Sequence, residues 1–190
     1  NYITFNNEMW RIISINVDGS IKIMRNESLS DIVFDSSNSS NWDRPADIKK
    51  YLNGEYLNSI TVNKDVIIPK SWSIGEVTSN DLATHISEEN KVQSTSANVG
   101  LITASEYIRA NSNIEQCGTT NTNNTNKATC LTTNWMYKIV PTNKHMWTLT
   151  PYTNDNSVYE IDNTTNNAGN LGGLIVTSNY DVNAAPVLIL

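Results

Sequence analysis

The residues of this chain that could do chemistry are few and scattered. The two histidines, His85 and His145, sit in unrelated contexts: His85 on an expected exposed helix beside Glu88 and Glu89, His145 just ahead of an apolar strand. Neither stands next to a candidate nucleophile, and two Cys with two His so dispersed do not make a zinc set. G-x-S-x-G, G-x-x-x-x-G-K-S/T and G-x-G-x-x-G are absent, and Leu171-Gly172-Gly173-Leu174 reads as a turn because no helix follows to cradle a phosphate. Asp155, Glu160 and Asp162 with Asn154, Asn156 and Asn163 carry enough oxygen for a calcium loop, but in an Asn-rich chain they read first as solvated turn amides. The expectation is therefore no catalytic residue, no metal ligand, no cofactor and no enzyme activity.

Aromatic side chains are the other resource: five Trp and eight Tyr against two Phe. Trp10, Trp135 and Trp147 fall within apolar strands and read as core. Tyr152, Tyr159 and Tyr180 differ, standing among Asn, Ser, Thr and Gly. Tyrosine offers large contact area at low entropic cost and Asn offers adaptable hydrogen bonds, the mixture of an antibody-like paratope. Tyr152, Asn154, Asn156, Tyr159, Asn166, Asn167, Asn170, Asn179 and Tyr180 are thus the candidate ligand-binding residues; the plainer alternative is a set of turn tyrosines on an ordinary surface.

Cys117 and Cys130 flank a polar tract with no large apolar anchor. Joined, they would close a loop worth about 3 kcal/mol through the unfolded state and would imply export; the alternative is two buried, reduced thiols.

These groups need a scaffold. Tyr2–Phe5, Met9–Ile15 and Ile21–Arg25, separated by Asn6-Asn7 and Asp18-Gly19, predict a three-stranded meander. A helix starts near Asp43, Arg44 and Pro45, with Ile48, Tyr51, Leu52, Tyr56 and Leu57 at helical spacing around Gly54. Asn80 to Glu89 suits a small exposed helix, and Val99–Ile102 runs into Thr103-Ala104-Ser105-Glu106, a capping box. Strands are expected at 134–137, 145–149, 157–161, 174–177 and 186–190. With no repeat or linker, this is one α+β domain over 1–190: a mostly antiparallel sheet, two helices and long loops, the N- and C-terminal strands paired.

The 190 residues carry a net charge of −6, with only 17% charged side chains and about a third Asn, Ser and Thr. So few cations cannot neutralise a phosphate backbone, which excludes nucleic acid and anionic membranes as partners. No run reaches the roughly 20 apolar residues of a membrane span. Both ends read as cut or tightly built in, Asn1 opening onto a strand and Val187-Leu188-Ile189-Leu190 closing the chain.

Tyr2-Ile3-Thr4-Phe5-Asn6-Asn7-Glu8-Met9-Trp10-Arg11-Ile12-Ile13-Ser14-Ile15, Ile21–Arg25, Tyr51-Leu52-Asn53, Val99-Gly100-Leu101-Ile102, Asn134-Trp135-Met136, Trp147-Thr148-Leu149-Thr150-Pro151 and Ala185-Pro186-Val187-Leu188 resemble, in order, an uncharacterised module of exported proteins from low-GC bacteria. That module looks like the C-type lectin-like fold shared with formylglycine-generating enzymes and with the variable proteins of diversity-generating retroelements. The resemblance spans nearly the whole chain and implies ends joined in one sheet, a ligand face built from late loops, and attachment to a pilin-like or membrane-anchored stalk. The chain departs from the pattern at Asn183-Ala184-Ala185, where the family carries Gly-Val-Arg. It also lacks the enzymes' paired cysteines and the calcium-binding Glu-Pro-Asn and Trp-Asn-Asp motifs. Catalysis and calcium-dependent sugar binding are therefore not carried over.

The leading expectation is an extracellular, cell-surface adhesion domain that binds a protein or glycan through its late loops. The alternatives are a structural subunit or tip of a surface filament and, behind it, an enzyme of formylglycine-generating type.

Overall fold

Two tight turns shape the first sheet. Strands β1 (Tyr2–Phe5), β2 (Glu8–Ile15) and β3 (Ile21–Arg25) form the expected antiparallel meander, pairing Ile3 with Trp10 and Ile12 with Ile23. Asn6 and Asn7 both hold positive φ (52° and 60°), the conformation that a two-residue hairpin with strand-matched twist demands. At the second turn Gly19 takes φ 85°, and the Asp18 carboxylate accepts hydrogen bonds from the Ser20 amide and hydroxyl. The computed structural model describes residues 1–44, 46–119, 126–153 and 156–190.

Helix α1 (Asp47–Tyr51) runs through a π-helical turn (Leu52–Tyr56) into α2 (Leu57–Ser59), burying Ile48, Leu52, Tyr56 and Leu57 as their spacing predicts. It begins later than expected, because Asp43 is engaged elsewhere: its carboxylate accepts from Lys49 Nζ at 2.6 Å and from the Thr95 amide at 2.7 Å. Pro45 lies outside the described residues. The widened turn carries Asn53 to the strand Val99–Gly100 (β4), where its side-chain amide accepts from Val99 N and donates to Val99 O, both at 2.9 Å. Asn53 thereby supplies β4 with the bonds that a further strand would give.

Helix α3 (Leu82–Glu89) is capped by the Asp81 carboxylate, and α4 (Ala104–Arg109) by the full Thr103/Glu106 capping box. Short helices α5 (Ile114–Cys117) and α6 (Lys127–Thr133) follow, joined by a Cys117–Cys130 disulfide, the first of the two cysteine alternatives. Strands β5 (His145–Pro151), β6 (Ser157–Asp162), β7 (Leu171–Ile175), β8 (Val182–Asn183) and β9 (Val187–Ile189) complete the chain.

The fold is α+β, with two sheets in place of the single one expected: a five-stranded antiparallel sheet ordered β1-β2-β3-β9-β4, and a four-stranded sheet ordered β7-β6-β5-β8 in which only β5 and β8 run parallel. The chain ends do share the first sheet. The N- and C-terminal strands are not direct partners, however: β9 lies between β3 and β4, while β1 is the opposite edge. The two expected helices become six short α-helices and the π turn among the described residues.

Two further expectations fail for local reasons. Asn134–Tyr137 is not a strand, because Asn134 Oδ1 accepts from the Met136 and Tyr137 amides and bends the chain into a turn. Gly172 and Gly173 lie inside β7 and not in a turn; a Cβ there would stand 2.7 Å from Glu160 Oε1 and 2.5 Å from the Tyr152 ring, so the glycines leave room for those side chains.

Trp10, Ile23, Met24, Phe34, Trp42, Ile48, Leu101 and Trp147 form the fully buried heart of one core. Among the described residues, no helix is long and apolar enough to cross a membrane.

Candidate functional site

The late tyrosine–asparagine set does not form one face. Tyr159 is a core residue, 2% exposed, its ring against His85 and edge-on to Tyr152; inside a doubly covered sheet it cannot anchor a ligand. Tyr152 is half-buried, and with Asn156 it sits at the β5–β6 turn. Asn166, Asn167 and Asn170 lie at the β6–β7 turn, at the other end of β6 and so about 17 Å away at 3.3 Å per residue. Exposed Asn179 and Tyr180 belong to that far end, because the adjoining Asp181 carbonyl accepts from the His145 amide, opposite Asp162. Lys127 Nζ donates to the Asn166 carbonyl at 2.7 Å. Asn154 lies outside the described residues, as does Asp155 of the suggested calcium loop.

A groove of about 780 Å³ opens elsewhere, over the ends of β3 and β9 and between α3 and α4. That volume falls within the range of small-ligand clefts. The capping box fixes one wall: Glu106 points its Oε2 at the Thr103 amide and its Oε1 at Lys22 Nζ, 2.5 Å away on β3. Lys22 also lies 5.1 Å from the centre of the Trp72 ring. At the rim, Lys70 bridges Asp18 at 2.7 Å, and this bond with those from Ser20 holds the Asp18 carboxyl far below the usual range. Arg109, three residues past Glu106 on the same helix, is exposed at the groove and has no ion-pair partner among the described residues. The groove continues past Ser14, Glu106 and Arg109 to Trp135, whose ring carries the Arg11 guanidinium 3.8 Å from its centre.

Gly100 sets the Trp72 wall, since a Cβ there would meet the indole at 2.5–2.7 Å. Gly100→Ala is expected to cost about 1–3 kcal/mol by overpacking and to shift Trp72 fluorescence; thermal denaturation with intrinsic fluorescence checks both.

Beneath the groove, Glu89 is 2% exposed. Its carboxylate accepts from the Ser105 amide at 2.9 Å, from the Ser105 hydroxyl and from Thr150 Oγ1 at 2.8 Å, while Thr150 Oγ1 in turn accepts from the Ala104 amide. A buried acid thus locks α3, α4 and β5 together.

The expected exposed helix is only partly so. His85 is fully buried, and neither of its ring nitrogens makes a hydrogen bond of ordinary geometry among the described residues. Burial lowers its pKa below the free value of 6.5, against the opposing pull of Glu89, the Ser79 backbone, Glu88 and Asp81. The folded chain holds His85 neutral, so below pH 6.5 the unfolded chain gains a proton that the folded chain resists. The His85 contribution to stability is therefore expected to fall as pH drops below 6.5, opposite in sign to those of His145 and Glu160, and the melting temperature of His85→Phe should gain on that of the native protein over that range in a pH series of thermal melts.

On β5 and β6, His145, Glu160 and Asp162 gather. Their candidate ligand atoms all lie within 4.8 Å of one another, with His145 Nδ1 3.0 Å from Glu160 Oε2 and 3.9 Å from Asp162 Oδ1. Burial pushes the Glu160 carboxyl up to about 7 despite the bond to His145, and that bond raises the His145 pKa. Of the suggested calcium oxygens, Glu160 and Asp162 thus come together, whereas Asn163 turns away, donating to Val140 O and accepting from the Tyr137 hydroxyl.

Sequence reasoning placed Glu106 at a helix start but not at a groove. The overlooked signal was the Glu106/Arg109 spacing, which sets both charges on one helix face. Lys22, alternating outward from Ile21 and Ile23, offered the other half. Scans against family models, curated proteins and solved structures find no match to this chain.

Proposed function

We propose that this chain is a non-catalytic, extracellular binding domain whose ligand is a carboxylate-bearing glycan seated in the groove between α3, α4, β3 and β9. Arg109 carries the reading. In the 780 Å³ body of the groove, where the other lining cations are matched, Lys22 by Glu106 and Lys70 by Asp18, it is an exposed guanidinium with no acidic partner among the described residues. Ser14, Asn16, Ser71, Ser73 and Asn90 surround the charges with hydroxyls and amides suited to sugar hydroxyls. Trp135 adds an aromatic surface at the far end. The disulfide supports export, and the chain ends meeting in one sheet support the C-type lectin-like reading of the fold.

A glycan array probed with the native protein, Arg109→Glu and the groove-filling Ser14→Trp tests this. Binding to acidic glycans should fall at least about tenfold in both variants, one lost charge-assisted bond being worth about 1.5–3 kcal/mol. The double variant Tyr152→Ala/Tyr180→Ala should bind as the native protein does. The reverse pattern would return the site to the late loops.

A filament-subunit reading is favoured by one observation: Tyr2, Met9 and Ile15 are 51%, 56% and 70% exposed along the β1–β2 edge. Concentration-dependent assembly in sedimentation velocity, lost on Met9→Lys, would support it.

A further inference from the structure

The geometry points to a binding site for a divalent transition-metal ion at His145, Glu160 and Asp162. Strand register builds it. His145 pairs directly with Asp162, and Glu160 lies two residues back along β6, so all three side chains leave the same face of adjacent strands. One imidazole nitrogen and two carboxylates, already within 4.8 Å of each other, need only small side-chain movements to converge on one ion.

Two further observations favour an ion over a plain ion pair. The Glu160 side chain is 6% exposed and its Oε2 meets His145, while Oε1 takes no hydrogen bond among the described residues and so keeps its lone pairs free for an ion. That free oxygen faces Gly172, the cross-strand partner of Glu160, where any side chain would begin 2.7 Å away. The missing side chain at Gly172 thus makes room for the Glu160 carboxylate itself. The supporting shell is in place as well: Asp162 Oδ1 accepts from the Thr164 amide at 2.6 Å, and the Asp162 backbone pairs with Asn170 and Gly169, fixing the carboxylate's direction. His145 is 22% exposed, which gives an ion an approach from solvent.

The imidazole selects the class of ion. Calcium and magnesium take oxygen ligands, whereas a His-plus-carboxylate set suits zinc, manganese or iron, and three protein ligands leave coordination positions for water.

Isothermal titration of zinc chloride into the metal-free protein, followed by cobalt(II) absorption spectroscopy, tests the site. One equivalent should bind, cobalt should give ligand-field bands of a low-symmetry site, and calcium should not compete. His145→Ala and Asp162→Asn should each weaken zinc about tenfold or more while keeping the native circular dichroism. Glu160→Gln should do the same; if it unfolds, the other two variants and the cobalt spectrum of the native protein still decide. Absence of a one-equivalent zinc isotherm, a cobalt spectrum no different from the hexaaquo ion, or equal zinc affinity in folded variants and native protein would each overturn the assignment.

Discussion

Replacing Glu89 by alanine should cost the fold about 3–4 kcal/mol, because three donors turned toward one buried carboxylate would lose their acceptor together. The Ser105 amide and hydroxyl and the Thr150 hydroxyl all point at it, and Thr150 in turn holds the Ala104 amide. The first turn of α4 is therefore positioned by a side chain that arrives from α3. Its loss would release Ser105, Glu106 and Arg109, so the proposed groove binding should weaken even where the chain stays folded. Urea denaturation reads the first effect. Glu89→Gln separates charge from shape: it keeps one acceptor oxygen but turns an NH2 toward the remaining donor, and should fall between native and alanine. Unchanged stability in Glu89→Ala would show that α3 and α4 are held by apolar packing alone.

Removing the disulfide, as Cys117→Ser/Cys130→Ser, should cost about 3 kcal/mol through the freed loop. The sulfurs are 13 residues apart in sequence, on α5 and α6, and both cysteines are buried. The damage should reach past the loop. The Cys130 carbonyl accepts from Asn111 Nδ2, Asn111 Oδ1 accepts from Thr133, and the Ala110 carbonyl accepts from the Trp135 amide at the groove's far end. Reduction should thus lower the melting temperature and speed amide exchange around Asn111 and Trp135, while the first sheet, far along the chain, keeps its protection. Equal exchange at Trp135 in both redox states would contradict that link.

Local chemistry made much of the fold legible in the sequence. Asn6-Asn7 and Asp18-Gly19 fix their turns by backbone preference alone, and Thr103 with Glu106 caps its helix by side chains three residues apart; such signals need no tertiary partner. What stayed hidden depends on distant neighbours. Leu171-Gly172-Gly173-Leu174 becomes a strand by pairing with β6, and its glycines make room for Glu160 and Tyr152. His85 is buried because Tyr159 packs on it from a strand far along the chain. The groove was invisible for the same reason: Lys22, Trp72, Glu89 and Arg109 come from four separate segments. The tyrosine–asparagine set failed differently. Its residues are close in sequence, but β6 runs through the middle of the set and carries its members to opposite ends.

The central place of β9 bears on how the molecule comes into being. The Ile21 amide donates to the Leu190 carbonyl and the Leu190 amide to the Ile21 carbonyl, so the middle of the larger sheet is closed by residues from opposite ends of the chain. Contacts of such long sequence separation form late and slowly. Until its last strand is available the meander has an open edge at β3, and the chain behind it cannot reach a closed native state. A sheet closed in this way forms as one cooperative unit, and β3 stays an unpaired edge, open to wrong partners, until β9 arrives.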